Sequence, residues 1–135
     1  MSTTTTTSND VLRARAEQTT ISTSGSVDAN QAGGEFNVAT DALTITLPTI
    51  DANNIGMELT FRNTGADGNN IITLSPGATD SVNGTVAAVQ SGGVANKDWI
   101  NTKASANKGD WCSLKAVALT EWYITGGDGV WASEA

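Results

Sequence analysis

Short runs in which apolar and polar residues alternate recur along this chain. In residues 41–47, Leu43, Ile45 and Leu47 alternate with Ala42, Thr44 and Thr46. A side-chain period of two is that of a β-strand with one buried face. Turn signals recur about every 8 to 12 residues, and no segment keeps a helical period. The pattern predicts an all-β fold: an antiparallel, jelly-roll-like β-sandwich or barrel of about seven to nine short strands.

Residues 56–76 contain two such strands separated by a glycine- and asparagine-rich segment. The segment predicts a hairpin, because Gly and Asn tolerate the backbone angles of tight turns. The oxygen-rich stretch Gly65 to Asn70 leaves a calcium loop as an alternative, although it lacks the acidic spacing and final Glu of an EF-hand. Asn83-Gly84 predicts a second tight turn, of type I′.

The chain has 135 residues, which is enough for one domain. Residues 1–17 begin with a Ser/Thr tract and predict a flexible N-terminal arm. Residues 18–131 are expected to form the β-domain, and residues 132–135 a short tail. Arg13 and Arg15 are the only basic residues before Arg62, so the arm is a candidate for docking on an acidic surface, or the pair is simply solvated.

The composition excludes several kinds of chemistry. The chain has no histidine, which rules out Ser-His-Asp and Cys-His catalysis and histidine-bound metals. Nothing in the sequence pairs two carboxylates as a glycosidase would require. We therefore expect neither an enzyme nor a cofactor. The formal charge of −7 makes nucleic acid a poor partner.

The single cysteine, Cys112, cannot form an intrachain disulfide. Alternation places it on one strand face with Leu114 and Ala116, so we expect a small buried side chain rather than a nucleophile. The first residues lack the pattern of a secretory signal, and no apolar run is long enough to cross a bilayer. The sequence predicts a soluble protein with no membrane partner, made in the cytoplasm.

Four tryptophans supply most of the large aromatic surface. Such side chains fill cores, anchor subunit interfaces or stack on sugar rings, and the sequence leaves all three roles open. Trp111 is predicted to lie on the strand face opposite Leu114, which favours a surface or subunit contact for at least one of them. The candidate interface or ligand aromatics are Trp99, Trp111, Trp122 and Trp131.

Four features of residues 41–131 together resemble small β-rich structural proteins of tailed bacteriophage virions, such as capsid decoration and head-fibre proteins. They are a strand ending in Leu47-Pro48, a strand from Gly56 into Asn63-Thr64-Gly65, an Ile-Thr-Leu strand before Asp80 to Gly84, and a closing series from Gly109-Asp110-Trp111 to Trp122-Tyr123-Ile124-Thr125-Gly126.

The resemblance implies a noncatalytic capsid decoration, or cement, protein on the surface of a phage virion. Its partner would be the major capsid protein of the shell, and its expected state is a homotrimer. The resemblance carries over no active-site residues. A receptor- or carbohydrate-binding fibre module is the alternative.

Overall fold

A computed structural model describes residues 16–135, apart from the side chain of Lys103. Twelve short strands and two 3-10 turns make up the regular structure of this part. The strands are β1 Gln18–Ile21, β2 Gly25–Ser26, β3 Glu35–Val38, β4 Leu43–Thr46, β5 Glu58–Asn63, β6 Ile72–Ser75, β7 Ser81–Val86, β8 Val89–Gly92, β9 Trp99–Asn101, β10 Trp111–Ala118, β11 Glu121–Asp128 and β12 Trp131–Ser133. The 3-10 turns are Ala29–Gln31 and Lys103–Ser105.

The strands form two sheets with the apolar core between them. The larger sheet, sheet A, has seven strands in the order β1-β3-β5-β10-β11-β7-β8. The smaller one, sheet B, has five in the order β12-β9-β6-β4-β2. The all-β sandwich is therefore confirmed, and the sheets do not close into a barrel. The strand count exceeds the predicted seven to nine because pieces as short as β2 are too brief to show an alternation.

The first half of the chain winds as a coil between the sheets. Successive strands β1 to β6 alternate between sheet A and sheet B, and each of β1 to β4 pairs in parallel with the strand two places later. The register sets Phe36 beside Phe61, and their rings stack with centroids 5.2 Å apart. The expected antiparallel, jelly-roll-like arrangement is therefore wrong for this half. After two crossings of the core the chain returns to the same sheet, and the new strand there runs in the same direction as the previous one.

The predicted hairpin of residues 56–76 is also wrong, although both of its strands exist. Strand β5 lies in sheet A and β6 in sheet B, so they face each other across the core instead of pairing. Each buries one apolar face, and Leu59 and Leu74 are fully buried. The link between them is long enough to cross the roughly 10 Å between packed sheets.

The second half contains the antiparallel pairs. Strands β10 and β11 form a long hairpin at the centre of sheet A, and β10 also pairs with β5. The predicted turn at Asn83-Gly84 is wrong, since both residues lie inside β7. The turn instead falls at Ala87-Ala88, between β7 and β8, where both alanines have positive φ.

The C-terminal residues belong to the fold. Strand β12 pairs with β9, and the Glu134 N–H donates to the Asp98 carbonyl oxygen over 2.9 Å. Residues 132–134 are therefore part of the β-domain, which the predicted boundary at residue 131 cut short.

Candidate functional site

Three of the four tryptophans are core residues. Trp99, Trp122 and Trp131 are fully buried, and the rings of Trp99 and Trp131 stack with centroids 6.3 Å apart. The register of β9 with β12 places these two strands side by side, which brings the rings together. The interface and ligand roles are therefore wrong for these three residues, because no face of their rings reaches the surface of the chain.

Trp111 lies on the outer face of sheet A, where it is partly exposed. The guanidinium carbon of Arg62 stands 5.8 Å from its ring centroid, in cation–π range. The ring edge lies over Gly126, where a Cβ atom would come within 2.9 Å of it. Glycine at 126 thus makes room for the ring to lie along the sheet.

A chain of polar contacts continues from Trp111 across the outer face of sheet A. Arg62 forms an ion pair with Glu35 at 3.1 Å, and Gln18 donates to the same carboxylate over 2.8 Å. The hydrogen bond from Gln18, followed by that from Arg62, lowers the pKa of Glu35 below its usual value. The outer face of sheet A thus carries an aromatic ring, two charged groups and an amide in one row, formed by Trp111, Arg62, Glu35 and Gln18.

The Gly65 to Asn70 loop joins a buried network of amides. Asn63 Oδ1 accepts hydrogen bonds from the Gly65 N–H at 2.9 Å and from Asn70 Nδ2 at 3.3 Å. A Cβ atom at position 65 would fall 1.9 Å from Asn70 Nδ2, so this glycine is required by close packing. Asp67 Oδ1 accepts from the Lys108 N–H over 2.8 Å. One of the oxygens proposed as calcium ligands, Asp67 Oδ1, thus has a hydrogen-bonding partner within the protein.

The same network reaches the start of β10. Asn63 Nδ2 donates to Asn101 Oδ1 over 2.9 Å, and Asn101 Nδ2 donates to Asp110 Oδ2 over 3.1 Å. Gly129 lies against this carboxylate, which leaves no space for a Cβ atom. The described residues contain no group of three or more His, Cys, Asp or Glu side chains arranged to hold a metal ion. The network links loops at one end of the sandwich, which indicates a structural role.

Cys112 is fully buried, as the alternation predicted. Burial raises the pKa of its thiol to about 12, and an interaction with Trp99 opposes that shift only in part. The thiol is therefore protonated at neutral pH and shielded from reagents, which excludes the activated thiolate that a nucleophile requires.

Exposed apolar side chains gather at one end of the sandwich. Backbone hydrogen bonds tie together the loops there: Gly56 donates to Ala116, and Ser81 donates to Thr120. The apolar end consists of Ile55, Val94, Val117 and Leu119, which are between 46% and 56% exposed. Tyr123 is exposed nearby on sheet A, whereas Val89 and Val130 are exposed at the opposite end. The pairing of β7 with β8 and β11 places the residues of the apolar end on neighbouring strand ends and loops, and exposed apolar residues gathered at one end of a domain favour contact with another macromolecule.

The predicted capsid-contact residues Arg13 and Arg15 lie outside the described residues, as does most of the predicted arm. Within residues 16–135 no helix is long and apolar enough to cross a membrane. Neither the protein-family models nor the curated proteins contain a match to the chain.

Proposed function

We propose that this protein is a noncatalytic capsid decoration, or cement, protein that binds the outer surface of a phage shell as an oligomer and stabilises it. The apolar end carries the proposal. Four apolar side chains about half exposed at one end of a charge-poor β-sandwich favour contact with another protein. The major capsid protein is the proposed partner, and the virion surface the proposed location.

The remaining properties are compatible with such a role. The net charge of −7 disfavours nucleic acid as the partner. Arg13 and Arg15 would add a basic contact if the first residues reach an acidic part of the shell. A homotrimer is the proposed state, since several weak contacts to neighbouring shell subunits then act together. The proposal needs no cofactor.

Co-sedimentation with purified shells tests the proposal. The shells should be those of the phage that carries this gene, stripped of the protein. Wild-type protein should pellet with the shells and raise the temperature at which they release their contents. Val117→Asp at the apolar end should weaken binding at least tenfold, because it places a charge in a desolvated contact.

The matched control is Val130→Asp at the opposite end, which makes the same chemical change at a residue of similar exposure. It should bind shells like the wild type. Equal binding by both variants would contradict the role of the apolar end, and failure of the wild-type protein to bind would contradict the function itself.

A carbohydrate-binding fibre module is the second candidate, and Trp111 is the observation that favours it. Its partly exposed ring lies beside Arg62 on an open sheet face, an arrangement that suits stacking against a sugar. A glycan array checks this: binding that is lost in Trp111→Ala and kept in Tyr123→Ala would favour the fibre module. No binding to any glycan would remove this candidate.

A further inference from the structure

The coil formed by β1 to β6 ends at an open side. Strands β1 and β2 are the outermost strands of sheets A and B, and each pairs with only one other strand among residues 16–135. At the other side of the sandwich the outermost strands β8 and β12 pack against each other. The two unpaired strand edges, called the open edge below, thus lie together on one side of the molecule.

A groove of about 240 Å³ runs between the two strands of the open edge. Val27 and Phe36 are buried beside it, and Ile21 is partly buried. Thr and Ser side chains from residues 19–26 supply most of the remaining lining. The first turn of the coil therefore places hydrogen-bonding groups of both sheets beside a groove that lies against the apolar core.

The polar backbone groups of β1 divide between its two sides. The Glu35 N–H donates to the Glu17 oxygen over 2.8 Å, so Glu17 faces β3. Because neighbouring residues of a strand point their N–H and C=O groups to opposite sides, Thr19 and Ile21 also face β3. Gln18 and Thr20 then direct theirs outward. Outward N–H and C=O groups without partners on the described strands form a template for another strand. Strand β1 carries no lysine, proline or bulge that would prevent such pairing.

We propose that the open edge pairs with the open edge of a second copy of this chain, around a two-fold axis perpendicular to the sheets. Such an axis sets β1 antiparallel to the β1 of the second copy and extends sheet B through β2 at the same time. Gln18 exchanges backbone hydrogen bonds with Thr20 of the second copy, and Thr19 lies opposite its own counterpart. The two grooves join, and Ile21, which is only partly buried in one copy, loses further contact with water.

Charge favours this occupant and this direction. Each copy carries a net charge of −7, yet residues 18–27 contain no charged side chain, so two copies can approach here with little repulsion. In the antiparallel register the two Glu17 residues are four positions apart along the paired strands, or about 14 Å. That separation exceeds the screening length of about 8 Å at physiological salt. A parallel pairing would place them side by side.

This pairing is independent of the proposed function and predicts an even number of copies. Two copies form a dimer, and if the chain also forms trimers through another surface, the pairing produces a hexamer. Light scattering coupled to gel filtration should therefore give an even multiple of 13.8 kDa for the full chain. A monomer, or a trimer with nothing larger, would overturn the inference.

Thr20→Pro tests the strand edge directly. The substitution removes an outward N–H and leaves the bonds to β3 in place, and proline is tolerated on edge strands. The mass should fall to half the wild-type value, while a melting transition confirms folding. The matched control Thr20→Ala keeps the N–H and should keep the wild-type mass. A Thr20→Pro variant that folds and keeps the wild-type mass would overturn the inference.

A cysteine at the axis supplies a second measurement. The Cα atoms of directly opposed residues that share no hydrogen bonds lie about 4.5 Å apart in an antiparallel pair, which suits a disulfide. Thr19→Cys should form a disulfide-linked dimer on mild oxidation, and Gln90→Cys on the opposite edge strand β8 should not. The buried Cys112 does not compete. Absence of the Thr19→Cys dimer would count against the two-fold register.

A chain lacking residues 2–15 distinguishes two occupants of the open edge. One is a second copy of the chain, and the other is the protein's own N-terminal segment. The pairing predicts the same number of copies in the particle with and without these residues. If the full chain is a monomer and the shortened chain a dimer, the segment occupies the open edge in the full protein, and the inference is wrong.

Discussion

Replacing Asn101 by leucine should destabilise the protein by about 2 to 4 kcal/mol. Asn101 is fully buried in β9 and holds three partners. Its Nδ2 donates to Asp110 Oδ2 and to the Val130 carbonyl oxygen, each over 3.1 Å, and its Oδ1 accepts from Asn63 Nδ2 over 2.9 Å. Leucine is of similar size but offers none of these bonds.

The magnitude follows from what is left unpaired. Asn63 Nδ2 loses its partner in a fully buried position, which costs about 1 to 3 kcal/mol. The Asp110 carboxylate keeps the Asn107 N–H and the Val130 carbonyl keeps the Thr102 N–H, so each loses one of its hydrogen bonds, at about 1.5 to 3 kcal/mol for the charged acceptor and about 0.5 to 1.5 kcal/mol for the neutral one. The apolar surface of leucine offsets about 1 to 2 kcal/mol of the total.

Urea unfolding followed by tryptophan fluorescence measures the effect. With a slope of about 1 to 3 kcal/mol per molar, the midpoint should fall by roughly 1 to 2 M. Asn37→Leu is the matched control, because its amide donates to Gln18 in an exposed pair and the change should stay within about 0.5 kcal/mol. The double variant Asn63→Leu/Asn101→Leu should cost less than the sum of the single changes. An Asn101→Leu variant as stable as the control, or strictly additive costs, would refute the buried network.

Three further predictions concern a turn and two titrating groups. Replacing Ala87 and Ala88, with φ of 49° and 69°, by Asn and Gly should raise the unfolding free energy by about 0.5 to 1.5 kcal/mol in urea titrations, because these residues accept left-handed angles that strain alanine. The Cys112 thiol should resist aromatic disulfide reagents until the chain unfolds. Since folding raises its pKa from 9.0 to about 12, wild-type stability should fall between these pH values more steeply than that of Cys112→Ala. Folding lowers the pKa of Glu35 from 4.5, chiefly through the hydrogen bond from Gln18, so its contribution should be present above pH 4.5 and disappear as pH falls further, and Glu35→Gln should flatten that part of the stability curve.

The alternation in the sequence predicted the strands and their buried faces well. Leu43, Ile45, Cys112 and Leu114 are buried where the pattern placed them, and Trp111 lies on the opposite face from Leu114. This succeeds because the side-chain period is a local property of a strand. The all-β class and the buried cysteine could therefore be predicted.

The pairing of the strands could not be predicted in the same way. Alternation shows which face of a strand is buried but not which strand lies beside it, so it predicts one hairpin from β5 and β6 although they lie in different sheets. The parallel partners are distant in sequence, as in the pairing of Leu43 with Ile72. The predicted turn at Asn83-Gly84 is wrong because Gly84, with φ 119°, lies inside a strand and packs against Ile124. Tertiary contacts decide both points.

The surfaces that support a function were also hard to recognise. Val117 and Leu119 look like ordinary strand residues in the sequence, and only the hairpin of β10 with β11 brings them to an end of the sandwich. Three tryptophans proposed as interface residues are needed to fill the core, because the short strands supply few other large side chains. The open edge has no local signature, since being outermost depends on the order of the whole sheet.

A three-dimensional reconstruction of the phage shell, before and after incubation with this protein, tests the proposed function most directly. The account predicts new density on the outer surface, repeated at fixed symmetry positions, with the apolar end of each β-sandwich against the shell. Shells that gain no density at saturating protein, or that bind the sandwich through a different end, would contradict it.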